Sequence, residues 1–259
     1  MSATGRPRVV RALPEPEALA RAAAEEVAGR LEAAARARGL ATIALSGGST
    51  PRALHALLTA EDGPFRARIP WTATHFFWGD ERHVPPDHPD SNYRMAWETL
   101  LSRVPVAATQ VHRIPAEMPD ADAAARAYEA ELRDVFGARG LLAEGRPRFD
   151  LVLLGMGADG HTASLFPGTA VVHETGRWVA APWVPKLDAH RITLTPPVLN
   201  AAAAVLFLVA GQDKAETLRA VLEGPILPDR FPSQGVAPTD GDLVWLVDQA
   251  AAARLGAIG

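Results

Sequence analysis

Apolar positions recur along the chain at two different spacings. Between Glu15 and Arg38 they recur about every four residues, from Leu19 to Leu31, which predicts an amphipathic helix that ends at Gly39. The short apolar run Ala41–Leu45 follows directly and predicts a buried strand. The chain therefore begins with a helix followed by a strand.

The same alternation continues towards the carboxyl terminus. We predict further helices and strands, namely helices over 92–104, 120–136 and 214–222 and strands over 74–78, 149–156, 191–195, 204–209 and 243–247. Strands that alternate with helices are typical of an α/β fold with a mostly parallel sheet and helices on both faces. We find no repeat and no Gly/Ser linker, so one domain is expected over residues 1–259.

Composition limits the possible functions. The chain is 48% hydrophobic and 22% charged, and its formal charge of -4 argues against nucleic acid as a partner. It contains no cysteine, which excludes disulfides, thiolate nucleophiles and cysteine metal sites. Neither a signal peptide nor a membrane span is apparent, so we expect a cytoplasmic protein without a membrane partner.

Three polar segments follow predicted strands, where α/β sheets bind their ligands. The first, Ser46–Pro51, combines glycines with Ser and Thr hydroxyls just before a helix. Glycines let backbone N–H groups point at an anion, so the segment is a candidate phosphate loop, with an ordinary capped turn as the alternative. It lacks the Gly-Lys-Ser/Thr ending of a nucleoside triphosphate loop, which favours a phosphate monoester.

The second segment runs from Trp78 to Arg94 and carries many charges and prolines. Asp80 and Arg82 stand at its start, directly after a strand, which favours a site loop. The alternative is a polar loop that only contacts solvent.

The third segment, Phe149–Pro167, contains glycines at the spacing of a dinucleotide-binding turn. Asp159 would place a carboxylate where a pyrophosphate must lie, and Pro167 would interrupt the helix that such a site needs. We therefore favour an Asp159–His161 pair that can accept a proton from water near neutral pH.

Arg191 and Lys214 each lie beside a predicted strand, Arg191 before one and Lys214 after another. Together with the Ser/Gly loop they would supply the two cations that a phosphate dianion commonly needs. Ordinary surface charge is the alternative for either residue.

Four stretches of the chain, in this order, resemble the 6-phosphogluconolactonase family within the glucosamine-6-phosphate isomerase superfamily. These are ALSGGSTP, FFWGDERHVPPDHPDSNYRMA, LVLLGMGADGHTASLFPG and RITLTPPVLNAA. The resemblance extends from Ser46 to about Asp248 and implies a Rossmann-like sheet. It also implies a hydrolase of the oxidative pentose phosphate pathway that acts on a sugar-phosphate lactone without metal or cofactor.

The resemblance also implies roles for individual residues. Catalysis falls on Asp159 and His161, with Asp80 and Arg82 close by. The phosphate site comprises Gly47, Gly48, Ser49, Thr50, Arg191 and Lys214. We expect neutral His161 to activate water, Asp159 or Asp80 to orient its ring, and Arg82 to stabilise the oxyanion by roughly 3 kcal/mol.

Two other functions are open at this point. The deaminase and isomerase branch of the superfamily shares the phosphate loop and the Asp-x-His, but it carries an acidic residue after the histidine where this chain has Ser164-Leu165-Phe166-Pro167. The other alternative is a sugar-phosphate sensor without catalysis, which the presence of Asp159 and His161 argues against. The oligomeric state is not determined, and a monomer is favoured.

Overall fold

The apolar runs of the sequence form a layered α/β structure. The coordinates are a computed structural model in which residues 8–256 are described. The helices are α1 Pro16–Arg38, α2 Ser49–Thr59, α3 Asn92–Thr99, α4 Ala121–Ala138, α5 Pro196–Ala201, α6 Ala215–Glu223 and α7 Gln249–Ala252. The strands are β1 Val9–Leu13, β2 Ala41–Leu45, β3 Thr74–Trp78, β4 Asp80–Arg82, β5 Leu142–Ala143, β6 Arg146–Pro147, β7 Leu151–Leu154, β8 Val179–Ala180, β9 Trp183–Val184, β10 Ala189–Leu194, β11 Ala204–Val209 and β12 Asp242–Asp248.

Six of these strands form a central sheet in the order β1-β12-β11-β7-β2-β3. Every neighbouring pair is parallel, as predicted from the alternation of strands and helices. Each residue of β2, β7 and β11 is buried, which requires cover on both faces of the sheet. The prediction of a mostly parallel α/β fold is confirmed.

Helix α1 shows how the sequence pattern becomes packing. Its apolar positions, including Leu19, Val27 and Leu31, are buried against the sheet. The helix ends where Gly39 adopts φ 72° and its N–H donates to the carbonyl of Ala35 at 2.7 Å. Glycine adopts this left-handed conformation without strain, so the predicted helix end is correct.

A smaller antiparallel sheet lies beside the central one and was not predicted. Its strands run in the order β4-β10-β8, with β9 also paired to β10. Gly79 joins the two sheets, because its N–H donates to the carbonyl of Leu45 and its carbonyl accepts from the N–H of Leu194. The small sheet thus begins directly at the carboxyl end of β3.

Several predicted boundaries were wrong. The helix predicted over 92–104 ends at Thr99, whose hydroxyl donates back to the Met95 carbonyl at 2.7 Å, and a 3₁₀ turn follows. The helix predicted over 214–222 begins at Ala215 after a 3₁₀ turn, and the strand predicted over 149–156 is confined to Leu151–Leu154. Strand β1 was missed because it is a short, largely exposed edge strand whose sequence, VVRAL, neither alternates apolar and polar residues nor forms an unbroken apolar run.

The chain order reverses between β2 and β7. From β2 the chain proceeds to β3 on one side, whereas β7, β11 and β12 extend the sheet on the other side. Loops at the carboxyl ends of β2 and β7 therefore diverge and leave a crevice, which is where open α/β sheets bind ligands. Three of the predicted site segments follow β2, β3 and β7.

Candidate active site

The loop after β7 holds a carboxylate against an imidazole. Asp159 Oδ1 lies 2.5 Å from His161 Nδ1 and accepts a weaker hydrogen bond from the His161 backbone N–H at 3.2 Å. Gly157 makes room for this pair, because a Cβ at that position would overlap the imidazole ring. The imidazole side chain is 29% exposed, so solvent can reach the pair.

Two further side chains touch this pair. Lys186 forms an ion pair with Asp159 Oδ2, and its ammonium lies 4.6 Å from the centre of the Phe166 ring. Phe166 in turn stacks on His161 with ring centres 4.2 Å apart. Partial burial acts to raise the pKa of Asp159, but the hydrogen bonds from His161 and Lys186 outweigh it and hold that pKa well below its usual range.

Asp80 supports the same loop without touching the imidazole. Its Oδ2 accepts a hydrogen bond from the Ser164 hydroxyl at 2.7 Å, and Ser164 N–H donates to the Thr193 hydroxyl at 3.2 Å. Both Asp80 and Ser164 are buried. Of the two carboxylates considered for orienting His161, Asp159 is the one in contact with the ring.

Arg82 and Arg191 face each other across the small sheet. They are direct partners in the antiparallel register of β4 and β10. Burial, followed by the like charge of Arg82, lowers the pKa of Arg191. The Arg82 guanidinium donates to the Asp90 carbonyl at 2.6 Å. Two guanidinium groups held side by side form a strong potential site for an anion.

The loop after β2 is shaped by close packing. A Cβ on Gly47 would overlap the side-chain amide of Asn92, which donates to the Asp80 carbonyl at 3.0 Å. Gly48 adopts φ 107° and ψ 179°, a conformation open essentially to glycine alone. Helix α2 starts at Ser49, so Ser49 and Thr50 stand in its first turn, where backbone N–H groups point outward.

Lys214 lies in the turn after β11, the strand that pairs with β7. Its ammonium contacts Asp213 Oδ2 at 2.6 Å, and the hydrogen bond and positive charge of Lys214 lower the pKa of Asp213. Gly211 opens this turn with φ 104°, and its N–H donates to the carboxylate of Asp248. Lys214 therefore belongs to the same edge of the sheet as the loops after β2 and β7.

Glu81 has a structural role that the sequence analysis missed. Its buried carboxylate accepts backbone N–H bonds from Asn92 at 2.7 Å and Tyr93 at 2.8 Å, together with the Ser91 hydroxyl at 3.1 Å. Burial raises its pKa, and the N–H donors of the helix oppose that rise. Glu81 thus ties the start of α3 to β4 and keeps Asn92 against Gly47.

The predicted site residues fall into three clusters at one edge of the sheets. Asp159 and His161 form one, Asp80, Arg82 and Arg191 lie together on the small sheet, and the glycine loop with Lys214 occupies the ends of β2 and β11. Sequence reasoning missed the functional contacts of Lys186, Asn92 and Ser164. Asn92 and Ser164 lie within segments that it did select, and Lys186 lies five residues before Arg191, but none of the three carried a local signal of its partner.

A polar site of this kind can bind an anion and activate water. Within residues 8–256, no cluster of three or more His, Asp or Glu side chains is arranged to hold a metal ion. In the same range no helix is long and apolar enough to cross a membrane. The groups present are an imidazole held by a carboxylate, a pair of guanidinium groups and a helix N-terminus behind glycines.

The chain is similar in sequence to known proteins. A family model described as glucosamine-6-phosphate isomerases/6-phosphogluconolactonase matches residues 14–245. A protein of Nostoc sp. named 6-phosphogluconolactonase is 40% identical, over 96% of this chain and 98% of its own. A protein of Arabidopsis thaliana named 6-phosphogluconolactonase 3, chloroplastic, is 40% identical over 84% of this chain and 66% of its own.

The fold is also similar to that of solved structures. The structure named 6-phosphogluconolactonase from Trypanosoma cruzi superposes with a TM-score of 0.83 at 31% identity, covering 99% of both chains. The chain is therefore similar to these proteins in fold as well as in sequence, over nearly its whole length.

Proposed function

The chain belongs to the glucosamine-6-phosphate isomerase/6-phosphogluconolactonase family, and on that basis we propose that it hydrolyses 6-phospho-D-glucono-1,5-lactone to 6-phosphogluconate. The reaction is a step of the pentose phosphate pathway, and the chain is an enzyme, a carboxylic ester hydrolase. The observation that supports this function most directly is the 2.5 Å contact between Asp159 Oδ1 and His161 Nδ1 beside an anion-binding crevice.

His161 acts as the general base in this proposal. Since Nδ1 faces the Asp159 carboxylate, Nδ1 carries the proton and Nε2 is free to accept one. Nε2 takes a proton from water as the oxygen of that water attacks the lactone carbonyl. The same nitrogen then returns the proton to the departing ring oxygen, so no covalent intermediate is needed.

The other two clusters bind the negative charges of the substrate. Arg82 stabilises the oxyanion that develops on the carbonyl, a role typically worth roughly 3 kcal/mol for one well-placed donor. The phosphate is bound by Gly47, Gly48, Ser49, Thr50, Arg191 and Lys214. The Asp80 carboxylate accepts a hydrogen bond from the Ser164 hydroxyl at 2.7 Å and so holds the loop that carries His161.

The segment after His161 favours the lactonase over the deaminase branch of the family. Residues 162–166 are Thr, Ala, Ser, Leu and Phe, and Ser164 is already engaged by Asp80. Isomerisation requires an opened sugar ring and a group that moves a proton between adjacent carbons. A lactone already presents an electrophilic carbonyl and needs only activated water and oxyanion support.

The test is direct hydrolysis of freshly generated lactone. The protein, stripped with a chelator and without nucleotide, should remove 6-phosphogluconolactone faster than the lactone hydrolyses spontaneously. It should neither release ammonia from glucosamine 6-phosphate nor interconvert aldose and ketose phosphates. Ammonia release at a rate comparable with lactone opening would overturn the choice of branch and leave the sugar-phosphate site intact.

The protein is further proposed to act in the cytoplasm as a monomer without nucleic-acid or membrane partners. The weakly acidic composition supports the absence of nucleic acid. The chloroplastic designation belongs to the plant relative. Cell fractionation and gel filtration of the full chain at catalytic concentration test location and assembly separately.

A further inference from the structure

Lysine is scarce in this chain and is confined to one place. Of the 26 Lys and Arg residues, only Lys186 and Lys214 are lysine. Both lie at the edge of the sheets where the site clusters gather, whereas arginine supplies the positive charge elsewhere. A lysine ammonium is a compact point charge with rotatable donors, and the planar guanidinium fork cannot reproduce its geometry.

Lys186 is carried to Asp159 by a short turn. The 3₁₀ turn Pro185–Leu187 is closed by the N–H of Asp188, which donates to the Pro185 carbonyl at 3.2 Å while Asp188 adopts φ 48°. Its two neighbours, β9 and β10, pair with each other. The turn therefore holds the backbone of Lys186 in place, close enough for its side chain to reach the loop after β7.

Asp159 uses separate oxygens for its two partners. Oδ1 receives the imidazole Nδ1 and the His161 backbone N–H, whereas Oδ2 receives the Lys186 ammonium. The lysine therefore does not displace the histidine. Bonds at both oxygens fix the plane of the carboxylate and with it the direction in which Oδ1 meets the ring.

Phe166 completes a closed set of contacts. The Phe166 ring stacks on the His161 imidazole with ring centres 4.2 Å apart, and the Lys186 ammonium lies 4.6 Å from the centre of the same Phe166 ring. A cation over an aromatic face is attracted to it, so Phe166 holds the ammonium near Asp159 while restricting the imidazole. Each of the four side chains limits the motion of its neighbours.

We propose that Lys186 is a positioning residue for the general base, which fixes Asp159 and keeps the imidazole of His161 neutral and correctly oriented. This inference rests on the proposed function only where turnover is concerned. An ammonium on the far oxygen of Asp159 offsets the negative charge that would otherwise favour the imidazolium.

Replacement of Lys186 by Met, a side chain of similar length without charge, tests the proposal. We expect kcat for the lactone to fall roughly 10- to 100-fold, as when an orienting partner of a functional group is lost. KM should change by less than about threefold. The acid limb of the pH–rate profile should move to higher pH, and Lys186→Arg should restore part of the activity and of the profile.

A readout that needs no substrate separates this inference from the proposed function. The midpoint of the His161 imidazole titration, followed by NMR in the complete protein, should rise in Lys186→Met and Lys186→Gln and remain unchanged in Lys214→Met. Lys214→Met is the matched control because it removes the other lysine at the same edge. Thermal unfolding of each variant shows whether the fold is preserved, and the half-exposed Lys186 side chain leaves the core untouched.

The outcomes are distinct. An unchanged kcat and an unchanged His161 midpoint in Lys186→Met would overturn the positioning role. A raised KM for the phosphorylated lactone with unchanged kcat would also overturn it and would assign Lys186 to the phosphate. If the wild-type protein did not hydrolyse the lactone, the proposed function would fail, while the shift of the His161 midpoint would still support the contact between Lys186, Asp159 and His161.

Discussion

The two loops that border the crevice differ in how their polar groups are used. After β7, Asp159 is bonded to His161 and Lys186, and the loop behind them is held by Ser164. After β2, the buried hydroxyl of Ser46 has no hydrogen-bond partner among the described residues. The polar groups of the first loop are bonded to one another, whereas the second loop contains a buried hydroxyl that is not bonded.

This difference matches the roles proposed for the two loops. Proton transfer depends on orientation, so the acid and base groups benefit from being fixed before the substrate arrives. An anion site instead needs N–H and hydroxyl donors that are free to turn towards the oxygens of the ligand. The comparison predicts that mutations in the loop after β7 mainly affect turnover and those in the loop after β2 mainly affect recognition.

The largest expected effect is that of His161→Ala. Removal of the general base should lower kcat roughly 100- to 10,000-fold with little change in phosphate-ligand binding. His173→Ala is a matched control, because His173 Nε2 also lies 2.5 Å from an aspartate, Asp229, but at an exposed position outside the crevice. If His161→Ala retained more than about a third of wild-type kcat with chemistry rate-limiting, His161 would not be the base.

The helix behind the loop after β2 should make the protein sensitive to acid. His55 of α2 is fully buried, and burial followed by the charge of Arg52 lowers its pKa from 6.5 to about 4. Between those values the unfolded chain binds a proton that the folded chain does not, so stability falls as pH falls from 6.5 towards 4.

His55→Asn removes that proton uptake while retaining a partner for Thr99, whose hydroxyl lies 2.8 Å from His55 Nδ1. We expect the loss of unfolding free energy between pH 7 and pH 4.5, measured by urea unfolding, to be smaller by about 2 kcal/mol in the variant. An identical pH dependence in both proteins would mean that His55 is not held neutral.

Arg191→Ala should have a smaller and more selective effect. The loss of a charge-assisted contact to phosphate should lower kcat/KM for 6-phosphogluconolactone by roughly 10- to 100-fold. Unphosphorylated gluconolactone should be affected much less, and Lys214→Ala should behave in the same way. The exposed Arg219 of α6 is the control, and equal losses on both substrates would show that Arg191 does not contact phosphate.

The smallest expected effect comes from adding a methyl group to a glycine. Gly48→Ala places a Cβ on a residue at φ 107°, which should lower the unfolding free energy by about 1 to 2 kcal/mol and weaken phosphate recognition. Gly29→Ala, in the interior of α1 with open space around it, should raise that free energy by up to about 1 kcal/mol. Calorimetry of both variants checks the contrast.

The spacing of apolar residues was sufficient to predict five of the six strands of the central sheet and its long helices. Residues 204–209 form a continuous apolar run and residues 41–45 an apolar run interrupted only by Thr42, and both are strands buried on both faces. The small antiparallel sheet was beyond such reasoning, because Asp80–Arg82 is a charged strand whose existence depends on pairing with Ala189–Leu194. Pairing over more than a hundred residues leaves no local pattern in Asp80–Arg82, although most of its partner was predicted as the strand over 191–195.

The sequence was sufficient to predict the segments that form the site but not the contacts between their side chains. Glycines and charged residues after strands pointed to the loops that contain Gly47, Asp159 and His161. Lys186 and Ser164 could not be assigned a partner from their neighbours in sequence, because each meets a residue brought close only by the fold. The assignment of catalytic and phosphate roles to individual residues stays a prediction that the experiments above address.

The ion pair between Lys186 and Asp159 has a consequence for chemical selectivity. A lactone is an acylating agent, and a neutral amine attacks such a carbonyl more readily than water does. Attack by the lysine nitrogen would form an amide, release the ring oxygen as a hydroxyl and block the site permanently. The Lys186 nitrogen is held against Asp159 Oδ2, so the contact proposed to orient the base would also limit acylation of the enzyme by its own substrate.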